Sequence, residues 1–147
     1  MAAGVTLRPD NVALLRARLN ELARRTLKAD QLHPTLQIDA EIAPGDLSLQ
    51  TVAALERLKP FGPGNPPIHF AARGLGHQRP LQRMGANRNH VKLWVTDGRS
   101  TQESVWWGAG NEALPDGRFD LAFTPIINEF NGRRTVQLRV LDWRPSG

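Results

Sequence analysis

Four prolines, two glycines and an asparagine crowd the segment from Pro60 to Pro67, and across it the hydrophobic period changes from helical to alternating. Proline pins φ and removes a donor, glycine opens φ > 0, and the residue ahead of each proline is pushed out of the helical region. Leu58-Lys59-Pro60-Phe61-Gly62-Pro63-Gly64-Asn65-Pro66-Pro67 therefore reads as a rigid joint between two differently built units. The plain alternative is an ordinary helix-stopping loop.

On the N-terminal side, Val12, Leu15, Leu19 and Leu22 follow helical spacing from Asp10 to Leu27, with Pro9 ahead of the start and arginines around the other face. Those arginines need no role beyond solvation, and Glu21 to Arg25 is a favourable i,i+4 pair. After His33-Pro34, alternation of Leu36, Ile38, Ala40 and Ile42 with Gln37, Asp39 and Glu41 predicts a half-buried strand. Ser48 then stands where an N-cap belongs, ahead of a second helix with Leu49, Val52, Leu55 and Leu58.

Beyond Pro67 the alternation predicts strands near 68–75, 77–84, 89–96, 101–107, 118–127 and 134–142. Asp97-Gly98 and Asn131-Gly132 are hairpin dipeptides of the kind a type I′ turn selects, because both central residues need φ > 0. Short strands at this spacing make a small barrel or a sandwich, and periodicity does not choose between them.

The chain carries no cysteine, which excludes disulfides, thiolate metal sites and a thiol nucleophile. No run approaches the roughly 18 apolar residues of a membrane span, and Met1 is not followed by a signal-like segment, so a cytoplasmic location is the default expectation. The formal charge of +5 is unevenly placed. Residues 1–67 hold 8 basic and 7 acidic side chains, 68–99 hold 6 and 1, and 100–147 hold 5 and 6. The excess in the middle segment suits a polyanion; a solubility device is the competing explanation.

In strand 89–96, Val91, Leu93 and Val95 share one face while His90, Lys92 and Trp94 share the other. Phosphates want positive charge and unstacked bases want a flat partner, and this outward face offers both. Packing of Trp94 against a neighbouring element, with His90 as a surface hydrogen bonder, accounts for the same residues equally well. In the last hairpin Val136, Leu138 and Val140 point inward and Gln137 and Arg139 outward, with Arg133 and Arg134 just past the turn. Arg73, Arg83 and Arg88 extend the basic track if strand register allows, since a one-residue slip reverses every side chain. Adjacent Trp106 and Trp107 must face opposite ways; Trp107, sharing a face with Glu103 and Val105, is the expected core residue and Trp106 the expected contact. Trp143 is the expected plug on the barrel.

The string Pro60 to Pro66 resembles the PFGPGNP-type junction of the RecJ family of single-strand-specific DNA exonucleases, which joins a DHH-associated domain to an oligonucleotide-binding (OB) barrel. Ile38-Asp39-Ala40-Glu41, Asn89-His90-Val91-Lys92-Leu93 and Val136-Gln137-Leu138 resemble words of the same family. Met1-Ala2-Ala3-Gly4-Val5-Thr6-Leu7 resembles the second half of its GGH-x-x-AAG element, and the chain is accordingly expected to be a C-terminal fragment. The resemblance implies an α+β chain: residues 1–59 as the end of a DHH-associated domain, 60–67 as the junction and 68–147 as an OB barrel. It implies single-stranded DNA binding for recombination and repair, with Mn or Mg held by a catalytic domain that this chain lacks, so these residues alone should not cleave DNA. The residues expected to hold nucleic acid are Arg88, His90, Lys92, Trp94, Trp106, Arg133, Arg134, Gln137 and Arg139. A repair protein is a further expected partner, and a protein-interaction or purely structural barrel is the alternative function.

No catalytic constellation accompanies them. His33, His69, His77 and His90 are scattered and show no metal-ligand spacing. Gly62-Pro63-Gly64 lacks the helix and lysine of a phosphate loop, Asp39 and Glu41 read as a solvated strand edge, and there is no nucleophile elbow.

Overall fold

A computed structural model describes residues 4–28 and 35–147. His33 and Pro34, and the Met1–Ala3 part of the AAG resemblance, lie outside the described residues. Compact packing divides the chain between Leu36 and Gln37. In the first unit a 3-10 turn, Pro9–Asn11, leads into α1 (Val12–Thr26), where Arg24 and Arg25 occupy the last turn and complement the helix dipole.

The second unit opens with β1 (Ala40–Glu41), shorter than the alternation from Leu36 predicts. Its ladder with β2 (Phe70–His77) is parallel and only two residues long. The 3-10 turn Pro44–Asp46 follows closely. In α2 (Leu49–Glu56), Ser48 caps as predicted, its Oγ accepting from the Thr51 N–H at 3.0 Å. Val52, with no exposure, and Leu55 pack α2 onto the barrel core. The junction closes on itself. Gly62 and Asn65 exchange backbone hydrogen bonds of 2.8 and 3.0 Å around Pro63-Gly64, and the Asn65 amide donates to the Leu58 and Pro60 carbonyls at 2.9 Å each.

The remaining strands are β3 (Gln82–Met84), β4 (His90–Thr96), β5 (Thr101–Trp106), β6 (Phe119–Phe130) and β7 (Arg133–Pro145). The strand order is β1-β2-β6-β7-β5-β4-β3, and a further β2–β4 pairing closes β2, β6, β7, β5 and β4 into a ring. The β5–β7 pair is parallel and the other pairs of the ring are antiparallel. This is the five-stranded OB barrel. Phe119, Leu121, Phe123, Leu75, Leu93 and Leu138 fill it and are essentially inaccessible.

Closure depends on β2 serving β6 first and β4 afterwards. The register shifts between Ala72 and Leu75, and Gly74 at φ +63° supplies the turn of the chain there. Its N–H leaves the ladder and donates to Asp120 Oδ1 at 3.0 Å and to Ser146 Oγ at 3.1 Å. Arg144 Nε reaches Asp120 Oδ2 at 3.1 Å. The hydrogen bond from Ser146, with those from Gly74 and Arg144, holds the Asp120 carboxyl below its ordinary value of 3.8, against the opposing effect of burial.

The two hairpin dipeptides part ways. Asn131 and Gly132 have φ of 50° and 71°, as a type I′ turn requires. Asp97-Gly98 does not form the expected turn, because only Gly98 has positive φ and the Asp97 carboxylate accepts from the Arg99 and Ser100 N–H groups at 2.9 and 2.8 Å. A side-chain turn of this kind spares Asp97 the left-handed conformation.

Phe123 sits between β2 and β7 with no exposure, so Phe123→Ala is expected to lower the unfolding free energy by about 3–5 kcal/mol in urea titration. A depressed folded-state pKa stabilises above the unfolded value and ceases to do so as pH falls through the folded one. Asp120→Asn should therefore be less stable than the parent at neutral pH, with the gap closing below the ordinary value of 3.8; thermal melts across an acid series measure this, and a constant gap would exclude the linkage.

Candidate nucleic-acid interface

The outer surface of β4 and β5 forms the floor of a groove of about 370 Å³ between the β3 side and the β6–β7 hairpin. Its floor comes from register. Val91, Leu93 and Val95 face the core, and the residues opposite them on β5 are Trp106, Ser104 and Gln102. Directly paired residues share a face, so Lys92 and Trp94 lie with Val105 and Glu103 on the groove side.

This reverses the expected assignment of the tryptophan pair. Trp106 is partly buried against the core, whereas Trp107 is 49% exposed and lines the groove. The grouping of Glu103, Val105 and Trp107 was legible in the alternation, but two apolar members made that face resemble the interior. Three apolar positions on β4 decide otherwise: they draw Trp106 inward and leave Ser104 with a buried hydroxyl that finds no partner among the described residues.

Trp94 is on the expected side but is not an open ring. It is 8% exposed, with the Arg79 guanidinium 3.7 Å from its ring centroid and Lys92 Nζ at 5.6 Å. A cation over the π face replaces the stacking partner that a base would be. His90 braces its neighbour. Its ring meets Trp107 edge-on at 4.7 Å between centroids, and Nδ1 accepts from the Gly108 N–H at 3.1 Å. The loop beyond is held where Gly110 approaches Asn89 so closely that a Cβ would stand 2.6 Å from the Asn89 Cα.

Lys92 Nζ lies 3.1 Å from Glu103 Oε1, and the Gln137 amide donates to the same oxygen at 2.6 Å. Lys92, Gln137 and Arg133 thus meet in the groove with Met84, Asn128, Phe130 and Thr135. Phe130 was missed by sequence reasoning although it is 70% exposed. The available signal was an aromatic directly ahead of Asn131-Gly132, too close to the turn to be covered. Arg134 is exposed across from Glu129, one residue out of phase with Arg133. Arg139 opens instead into an apolar pocket of about 360 Å³ between α2, the junction and β6. Arg88 is exposed in the loop ahead of β4 at φ 54°. Of the other basic candidates, Arg73 pairs with Glu41 and Arg83 donates to the Gly110 carbonyl.

Residues 38–142 match the family described as the RecJ OB domain. The chain belongs to this family. The single-stranded-DNA-specific exonuclease RecJ of Bacillus subtilis is 32% identical over 145 residues, which is 97% of this chain and 18% of the relative. That of Escherichia coli is 27% identical over 143 residues, covering 94% of this chain and 24% of the relative. The RecJ OB domain chain described here therefore spans about a fifth to a quarter of the length of these curated relatives. The crystal structure of Thermus thermophilus RecJ in complex with Mn2+ superposes with a TM-score of 0.74 at 23% identity, over 98% of this chain and 20% of that one, and bears out the fold. Among the described residues of this RecJ OB domain no three His, Asp or Glu side chains are grouped to hold a metal ion, and no helix is long and apolar enough to cross a membrane.

Acrylamide quenching separates the tryptophans. Trp107→Phe should remove the larger part of the quenchable fluorescence and Trp94→Phe little of it; the opposite order would restore Trp107 to the core.

Proposed function

We propose that this RecJ OB domain binds single-stranded DNA along the β4–β5 groove. The observation that carries the reading is the pairing of two exposed aromatic rings, Trp107 and Phe130, with Arg133 at the lip of one groove. Stacking serves any base and contributes about 1–3 kcal/mol per base, while arginine takes the phosphates. The strands 2–3 face of an OB barrel, here β4 and β5, with its flanking loops is the surface on which this fold receives oligonucleotides. In a longer RecJ-type exonuclease of DNA recombination and repair, this grip would feed one strand to a nuclease site in another domain, where Mn or Mg would be held; a cytoplasmic location fits that role. His90 acts by positioning Trp107, and Lys92 and Gln137 by fixing the groove floor.

A second reading draws on the apolar pocket beside α2, lined by Val52, Leu55, Phe61 and Leu141. Such a surface suits contact with another domain or a repair protein, and binding there would persist at salt that abolishes DNA affinity.

Fluorescence anisotropy with labelled oligo-dT tests the first reading. Trp107→Ala combined with Arg133→Ala is expected to weaken binding at least tenfold, corresponding to about 1.4 kcal/mol or more. Arg133→Ala alone should reduce the log–log salt slope by roughly 0.7. Unchanged affinity in the double variant would sink the assignment.

A further inference from the structure

A carboxylate stands on the floor of a groove assigned to a polyanion. Glu103 is held there from two sides, by Lys92 Nζ at 3.1 Å and by the Gln137 amide at 2.6 Å, and both contacts end on Oε1. Parallel pairing places Gln137 directly beside Glu103 on the neighbouring strand, so the arrangement is fixed by the backbone. Oε2 has no partner among the described residues, and the side chain is 29% exposed within the groove.

Two consequences follow for a strand lying in this groove. Lys92 is neutralised by Glu103, so the floor offers phosphates no net attraction, and an ionised carboxylate repels them outright. Phosphodiesters are drawn to Arg133 at the hairpin, and bases are turned toward the floor. What meets Oε2 must also be a donor, because a carboxylate only accepts. Cytosine offers its N4 amino group; thymine's one donor, the N3–H, is flanked by the O4 and O2 carbonyls, whose lone pairs oppose the approach of an ionised carboxylate.

We infer that Glu103 reads an exocyclic amino group, so that the groove favours cytosine over thymine at the base above it. The inference rests on the single-strand reading and adds base preference to it. Restricting the comparison to pyrimidines keeps ring size and stacking nearly constant, so that the amino group is what differs.

Anisotropy titrations with labelled deoxycytidine and deoxythymidine homopolymers of equal length, at mildly alkaline pH to keep cytosine unprotonated, provide the test. The unaltered chain is expected to bind the cytidine polymer roughly five- to tenfold more tightly, the scale of one net hydrogen bond at a solvent-accessible site. Glu103→Gln, nearly isosteric, should bring the two polymers close to parity by improving thymidine binding. It should also steepen the log–log salt slope by roughly 0.7, as Lys92 is released to a phosphate. Equal binding of both polymers by the unaltered chain would overturn the inference and leave the single-strand reading intact, and this arm needs no variant to fold. A cytidine preference that survives in Glu103→Gln would equally remove Glu103 as its source. If neither polymer binds, the single-strand reading falls and this inference with it.

Discussion

The barrel depends on one strand changing partners. β2 pairs with β6 as far as Leu75 and with β4 from Gly76, and the backbone N–H released by the bulge at Gly74 must be satisfied because the site is partly enclosed. Asp120 and Ser146 satisfy it, and Arg144 balances the carboxylate. These residues come from the start of β6 and the end of the chain, so closure draws together segments about 70 residues apart in sequence, as the Gly74–Ser146 bond spans 72.

Once the ring is closed, register determines chemistry. The three apolar residues of β4 fix its inner face, and pairing then assigns every β5 side chain by opposition. Trp106 is drawn inward and Trp107 is left with His90 at the groove. Cation–π contact covers Trp94 in the same way that burial would, so of three tryptophans on or beside the two strands one presents an open ring. The basic excess of residues 68–99 is likewise partly engaged inside the protein, through Arg73, Arg79 and Arg83.

The groove therefore differs from a simple positive channel. Its floor is a balanced Lys92–Glu103–Gln137 set; Arg133, with no ion pair among the described residues, stands with Phe130 at the hairpin, and Trp107 stands beside His90. Charge at the lip is thereby separated from hydrogen-bonding capacity on the floor.

Much of this was local and hence legible. The 3.6-residue period located α1 and α2, the Ser48 cap was written in its type, alternation located β2 and β4 to β7 while drawing β1 and β3 too long, and Asn131-Gly132 specified its own turn, because each rests on the backbone preferences of a few neighbouring residues. Which face of β5 was inward, which arginines were already engaged, and that Phe130, Glu103 and Asn128 join Lys92 and Gln137 in one groove were not, because these follow from pairings between segments up to 34 residues apart. Sequence by itself determined most elements and, where one face was uniformly apolar as in β4 and β7, the face that met the core; only the tertiary structure decided the inward face of β5, because that choice is made by the neighbouring β4.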